Sequence, residues 1–248
     1  MRPLQTDLSI YKKFNFENPP VGIKYLSQKP EGVEQLDKSL ALCEMLKEAH
    51  QRGTAFYFTK ENEACFGKSF LGMVESRPTS GTGQIGVDFE IFQEARANRN
   101  LYPQQYQLGY GVVNYVVVAP LDKIAFEPDL LFLMATVSQA EIVLRAMSYS
   151  TGELWSTKLT GVGACTWLFI YPYLTGKLNY AITGLSFGMK AKEVFPEGWL
   201  LISIPYQWIP TITQNLKEMK WVLPAYAEGR EKFLQREERV IKGMAQAP

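Results

Sequence analysis

Cysteine and histidine are both scarce in this chain, with three cysteines and one histidine, His50, among 248 residues. An odd cysteine count, with no export signal in view, argues against a disulfide framework and for reduced thiols or ligands. The opening residues lack an apolar h-region, so no signal peptide is expected. Long apolar runs are missing too. The best candidates, 112–121 and 166–174, fall short of the ~18–20 residues that span a bilayer. A soluble, cytoplasmic protein without a membrane partner is expected. Charge of one sign is also absent: 26 basic against 25 acidic residues give a net charge of +1. No global field favours nucleic acid or an anionic surface. What is abundant is aromatic character, at 13%. Many of these rings fall between Trp155 and Trp221, where they form core or wall a ligand cavity.

Periodicity and punctuation give an alternating reading. A short amphipathic helix over 4–16 ends at Asn18-Pro19-Pro20, and Val21–Leu26 follows as a strand. Val33, Leu36, Leu40, Cys43, Leu46 and His50 form one helical stripe, stopped by Gly53. Strands are expected at 54–59, 70–74, 112–121, Leu130–Ala135, 178–183 and 199–204, with an edge strand at 153–160. Helices are expected at 89–99, at 139–149 behind a Ser138/Glu141 capping box, and at 164–171, checked by Pro172. A further helix starts at Pro210 and ends near Met219, and a charged tail helix follows.

Two stretches resemble each other. LCEMLKEAHQRGTAFYFTKENEACFG has Cys43, a helical run, Gly53, a short strand, then Cys65-Phe66-Gly67. ACTWLFIYPYLTGKLNYAITGLSFG has Cys165, a helical run, Gly176, a short strand, then Ser186-Phe187-Gly188. Cys43 to Cys65 is 22 positions and Cys165 to Ser186 is 21. The fold expected from this is α+β: one domain over 1–248, with two pseudo-repeated α/β lobes (19–100 and 110–220) around a mixed sheet. A C-terminal helix over 224–244 lies outside them.

The motifs PPVGIKYL, LCEMLKEAHQRG, ENEACFG, EPDLLFLMATVSQAEIVLRAM and GACTWLFIYPYLTGKLNYAITGLSFG carry a family resemblance. The chain resembles the bacterial and archaeal proteins grouped as domain of unknown function 169, over roughly residues 19–219. The resemblance implies a family common among anaerobes and without a settled activity. Similar sequences carry Cys where this chain has Ser186, which implies one ligand fewer here.

The chemistry follows from the three cysteines. Thiolates are the usual ligands of iron–sulfur clusters, and a [4Fe–4S] cluster held by Cys43, Cys65 and Cys165 would leave one iron beside Ser186. Cys165 follows Gly161-Val162-Gly163 at an expected helix N-terminus, a place that favours thiolate. The expected function is therefore an iron–sulfur or other metal-binding protein with its site between the lobes, and the family resemblance implies a place in anaerobic metabolism. The alternative is a small-molecule or cofactor-binding module without metal, whose cysteines are structural and whose cavity is walled by Trp167, Tyr171, Tyr173 and Tyr180. Zinc fits poorly, because His50 lies about 10.5 Å along the helix from Cys43. A nucleophilic pair of His50 with Cys65 or Cys165 stays open. Gly81, Gly83 and Gly86 match G-x-G-x-x-G, but Arg77-Pro78-Thr79-Ser80 before them is not strand-like. A dinucleotide site is not expected there, whereas an anion held by loop amides is an option. A small-molecule ligand and a homo-oligomer are the open partner classes; whether the protein is an enzyme is not indicated.

Overall fold

The computed structural model describes residues 1–75, 81–154 and 156–244. Residues 77–80 of the glycine-rich loop and Trp155 of the expected edge strand lie outside them. The strands are β1 (Val21–Leu26), β2 (Glu34–Gln35), β3 (Phe56–Phe58), β4 (Tyr115–Pro120), β5 (Leu130–Ala135), β6 (Asn179–Ile182) and β7 (Leu200–Pro205). The first helices are α1 (Leu42–Arg52), α2 (Gly67–Phe70), α3 (Gln84–Asp88), α4 (Ala95–Arg99) and α5 (Val137–Ser148). Then come α6 (Tyr171–Thr175), α7 (Phe187–Ala191), α8 (Ile209–Glu218), α9 (Pro224–Glu228) and α10 (Arg230–Met244).

The seven strands make one sheet in the order β2-β3-β4-β1-β5-β7-β6. β2 pairs parallel to β3 and the other pairings are antiparallel, so the sheet is mixed. The fold class is α+β, as the alternation of elements implied. Side chains alternate across the sheet. Ile23, Val116, Val118, Phe132, Met134 and Leu201 point to one core, with α1, the 164–175 helix and α7. Val117, Ala119, Leu131, Leu133, Ile202 and Ile204 point to the other, with the 3₁₀ segment Leu8–Phe14, α5 and α8. Burial on both faces is why these strands read as nearly unbroken apolar runs.

The strand order has an internal correspondence. On either side of the antiparallel β1–β5 pair, β4 then β3 are matched by β7 then β6. Both β4 and β7 end in proline and run into a 3₁₀ turn. Both α1 and α6 end on a left-handed glycine, Gly53 at φ 63° and Gly176 at φ 66°, before β3 and β6. The pairing sets β4 with β1 and β3, so the first matched set of strands closes at Pro120 rather than near residue 100.

Several expected elements differ. The helix begins at Leu42, not at residue 33, because Glu34 and Gln35 pair with Phe56 and Tyr57. Residues 70–74 form no strand; α2 and a turn replace it. The 89–99 helix is reduced to α4, with Glu90 in a left-handed turn at φ 57°. The helix starting at Ala164 runs through Pro172 to Thr175 as a π turn, Thr166–Ile170, followed by α6. No strand forms over the described part of 153–160. The capping box of α5 is Thr136 with Gln139, a little upstream of the expected pair.

Candidate functional site

The turn before α2 is built on a buried carboxylate. Glu63 is fully enclosed, and it accepts N–H bonds from Leu42 at 3.0 Å, Cys65 at 2.9 Å and Lys68 at 3.1 Å. Lys68 Nζ returns to the Glu63 carbonyl at 2.7 Å. Leu42 is the first residue of α1, so the carboxylate satisfies a backbone donor that the helix leaves open and sits at the positive end of its dipole. Glu44 does the same for the Ala41 N–H at 2.7 Å. Asn62 next door donates to the carbonyls of Leu36 at 2.8 Å and Lys38 at 3.1 Å. Together these bonds tie the start of α1, with Cys43, to the turn that carries Cys65.

Lys192, just past α7, reaches this region from the second half of the chain, with its Nζ 4.0 Å from the Glu44 carboxylate. Burial works to lower its pKa. The neighbouring acidic groups, Cys65 first and then Cys43, Glu44 and Cys165, outweigh that and raise it. Burial pushes the Cys43 thiol up to about 12, in spite of Lys192. Cys165 is pushed well above the usual thiol range, by burial first and then by Cys43, Glu63 and Cys65. The helix N-terminus does not make Cys165 a thiolate; its apolar surroundings win.

These facts overturn the metal expectation. Among the described residues no group of three or more His, Cys, Asp or Glu side chains is placed to hold a metal ion. Cys43, Cys65 and Cys165 do not form a ligand set among the described residues. Cys43 is packed in the core as a small apolar side chain. The iron–sulfur assignment is therefore corrected. Ser186, the counterpart of Cys65, is sealed at the start of α7, and its hydroxyl has no partner among the described residues.

The remaining sequence candidates fall elsewhere. Gly81 is exposed with open space around it, while Gly83 and Gly86 are the points where α3 closes on α4. A Cβ on Gly83 would lie 2.1 Å from the Ala95 carbonyl oxygen, and one on Gly86 2.4 Å from Asn98 Nδ2. Asn98 Nδ2 donates to the Gly83 carbonyl at 3.0 Å. His50 has its Nε2 buried without a partner among the described residues, and burial lowers its pKa to about 4. Trp167 and Tyr171 are packed edge-on against Tyr106 and line neither of the two cavities at the segment after α7.

Two cavities instead meet at the segment after α7. One, of about 350 Å³, lies between α1 and residues 193–196; Met134, Val194 and Phe195 line it with Lys47, Glu193 and Glu17. The other, of about 280 Å³, is lined by Thr183, Lys190, Glu193, Phe195 and Glu197. Glu193 lines both and is held in the left-handed region at φ 50°. Sequence reasoning passed over Glu63, Lys192 and Glu193. The signal for Glu63 was its place two residues before Cys65. Glu193, where a helix ends without glycine, carried no local mark.

A curated relative, an uncharacterised protein of Methanocaldococcus jannaschii, MJ0308, is 23% identical over 214 residues, which is 83% of this chain and 90% of the relative. No solved structure matches the chain. The model of the DUF169 family, described as Uncharacterised ArCR, matches residues 9–215, and the chain belongs to that family.

Proposed function

We propose that the protein binds a small metabolite in the groove between α1 and residues 193–196. The observation that carries this reading is Glu193, a non-glycine residue held at φ 50° where it lines both cavities. Left-handed backbone at such a residue costs on the order of 1 kcal/mol and collects at ligand clamps. The groove's volume of about 350 Å³ suits a small ligand. Its apolar wall of Met134, Val194 and Phe195 is edged by the ammonium of Lys47 and the carboxylates of Glu193 and Glu17. Such a wall with charges of both signs favours a zwitterion with an apolar side group, the chemical class of free amino acids.

The test is a thermal-shift panel of free amino acids and short dicarboxylates. One or more amino acids raise the melting temperature, with dicarboxylates weaker. Lys47→Glu, at an exposed position, removes the response and leaves the circular dichroism spectrum unchanged. A flat response across the panel, or one that Lys47→Glu leaves intact, overturns the reading.

A further inference from the structure

The C-terminal helix α10 has no buried residue. Phe233, Leu234, Val240, Ile241 and Met244 are each between 41% and 72% exposed. At about 100° per residue they fall on one stripe, roughly 120° wide. Two charged residues interrupt that stripe, Arg230 and Glu237, of opposite sign and two turns apart. Some of the charges off the stripe are paired within the chain: Arg236 grips Glu228 at 2.7 Å, and Lys242 meets Glu238 at 2.6 Å. Arg230 and Glu237 have no ion-pair partner among the described residues.

We propose that α10 is a self-association helix that pairs antiparallel with α10 of a second copy of this chain. An isologous contact brings the same patch together from both sides, so it must be complementary to itself under a twofold rotation. An axis between Phe233 and Leu234 meets that condition. It sets Arg230 opposite the second copy's Glu237, Glu237 opposite the second copy's Arg230, and the Phe233–Leu234 pairs between the two bridges. Val240, Ile241 and Met244 then run on towards the second copy's α9, where Tyr226 is 61% exposed. A parallel pairing in register would set Arg230 on Arg230 and Glu237 on Glu237, and like charges at such positions repel. The occupant is thus a second copy, in one orientation.

The test uses the whole chain in light scattering after size exclusion, at about 50 µM and low salt, where surface pairs are least screened. The wild-type protein runs as a dimer. R230E and E237R each weaken it, on the order of tenfold in the dissociation constant, because each sets like charges face to face twice. The double variant R230E/E237R exchanges the two signs and restores the dimer. Both positions are solvent-exposed, and circular dichroism checks that α10 remains helical. A monomeric wild type, a dimer indifferent to the single changes, or a double variant that stays monomeric each overturns the proposal.

Discussion

Glu63 and Gly67 show how narrowly single residues set the candidate site. A Cβ on Gly67 would come within 2.8 Å of Glu63 Oε1 and 3.0 Å of Leu42 Cβ. Gly67→Ala must therefore displace a buried carboxylate that three N–H groups hold. It should cost about 2–4 kcal/mol in urea unfolding, a typical penalty for breaking a buried network. Glu63→Gln tests the same point more gently: the amide turns a donor towards a donor and loses one or two bonds, roughly 2 kcal/mol. Cys65 and Cys165 are half-buried by surface area and Cys43 is enclosed, but the Cys165 sulfur sits among apolar neighbours, and burial pushes the thiols of Cys43 and Cys165 above the usual range. Iodoacetamide near about pH 8 should give a single fast adduct, mapping to Cys65 by peptide mass; equal labelling of Cys43 would contradict the burial argument. Glu193 separates function from stability. Glu193→Gly relieves the left-handed backbone and should leave the protein equally stable or more stable by up to about 1 kcal/mol, while ligand response falls. Unchanged binding would mean that φ 50° merely ends α7.

At the scale of elements, the π turn ahead of α6 is the clearest departure from an ordinary helix. Pro172 has no N–H to offer Leu168, and the Tyr171 N–H reaches back to Thr166 instead. Carbonyls inside the segment are met from outside: Asn179 Nδ2 donates to Trp167 at 2.8 Å and Tyr25 Oη to Phe169 at 2.9 Å. Asn179 also holds Lys158 through two bonds of 2.9 Å each, so one side chain joins β6, the π turn and the preceding loop. Asn179→Ala leaves several backbone groups unpaired and should cost about 3 kcal/mol or more, against roughly 1 for Tyr25→Phe. Comparable losses for the two would remove Asn179 from this role. Apolar runs and a terminating glycine made β1, β5, β7, α8 and the end of α1 readable beforehand. The start of α1 was not, because Val33, Leu36 and Leu40 continue its stripe by coincidence while Asn62 and Glu63 hold 36–41 extended. Residues 89–99 misled for the same kind of reason: the contact of Gly83 and Gly86 with α4 is non-local. The strand order has a matching correspondence on either side of the β1–β5 pair, but the positions that suggested a cluster carry burial rather than a metal site among the described residues. Neither the groove nor Lys192 could be found without knowing that α1 and the segment after α7 meet.

For the whole molecule, the two cores are closed by residues up to Trp221, and α10 contributes to neither. At a dilution where the full chain is monomeric, a chain ending at Glu228 should melt within about 2 °C of it, since surface segments outside a core contribute little to folding; a larger drop there would show that α10 belongs to the folded unit. Acid stability tests the body itself. His50 has its folded pKa lowered to about 4 by burial, against 6.5 in the open chain. Above 6.5 both states are neutral and the full stability is present. Between 6.5 and about 4 the unfolded chain takes up a proton that the folded one refuses, so stability falls with pH. Below about 4 both are charged and this loss stops. The step amounts to about 2–3 kcal/mol, allowing for partial exposure. Asp7 behaves differently. The Ser9 N–H and Lys217 hold its carboxyl at about 2, so its share is lost only as pH falls from the ordinary carboxylate range through that value. Urea midpoints measured against pH should therefore decline first between 6.5 and 4 and again at lower pH. His50→Phe removes the first decline and leaves the second; a variant that still loses stability between 6.5 and 4 would move the cause away from His50.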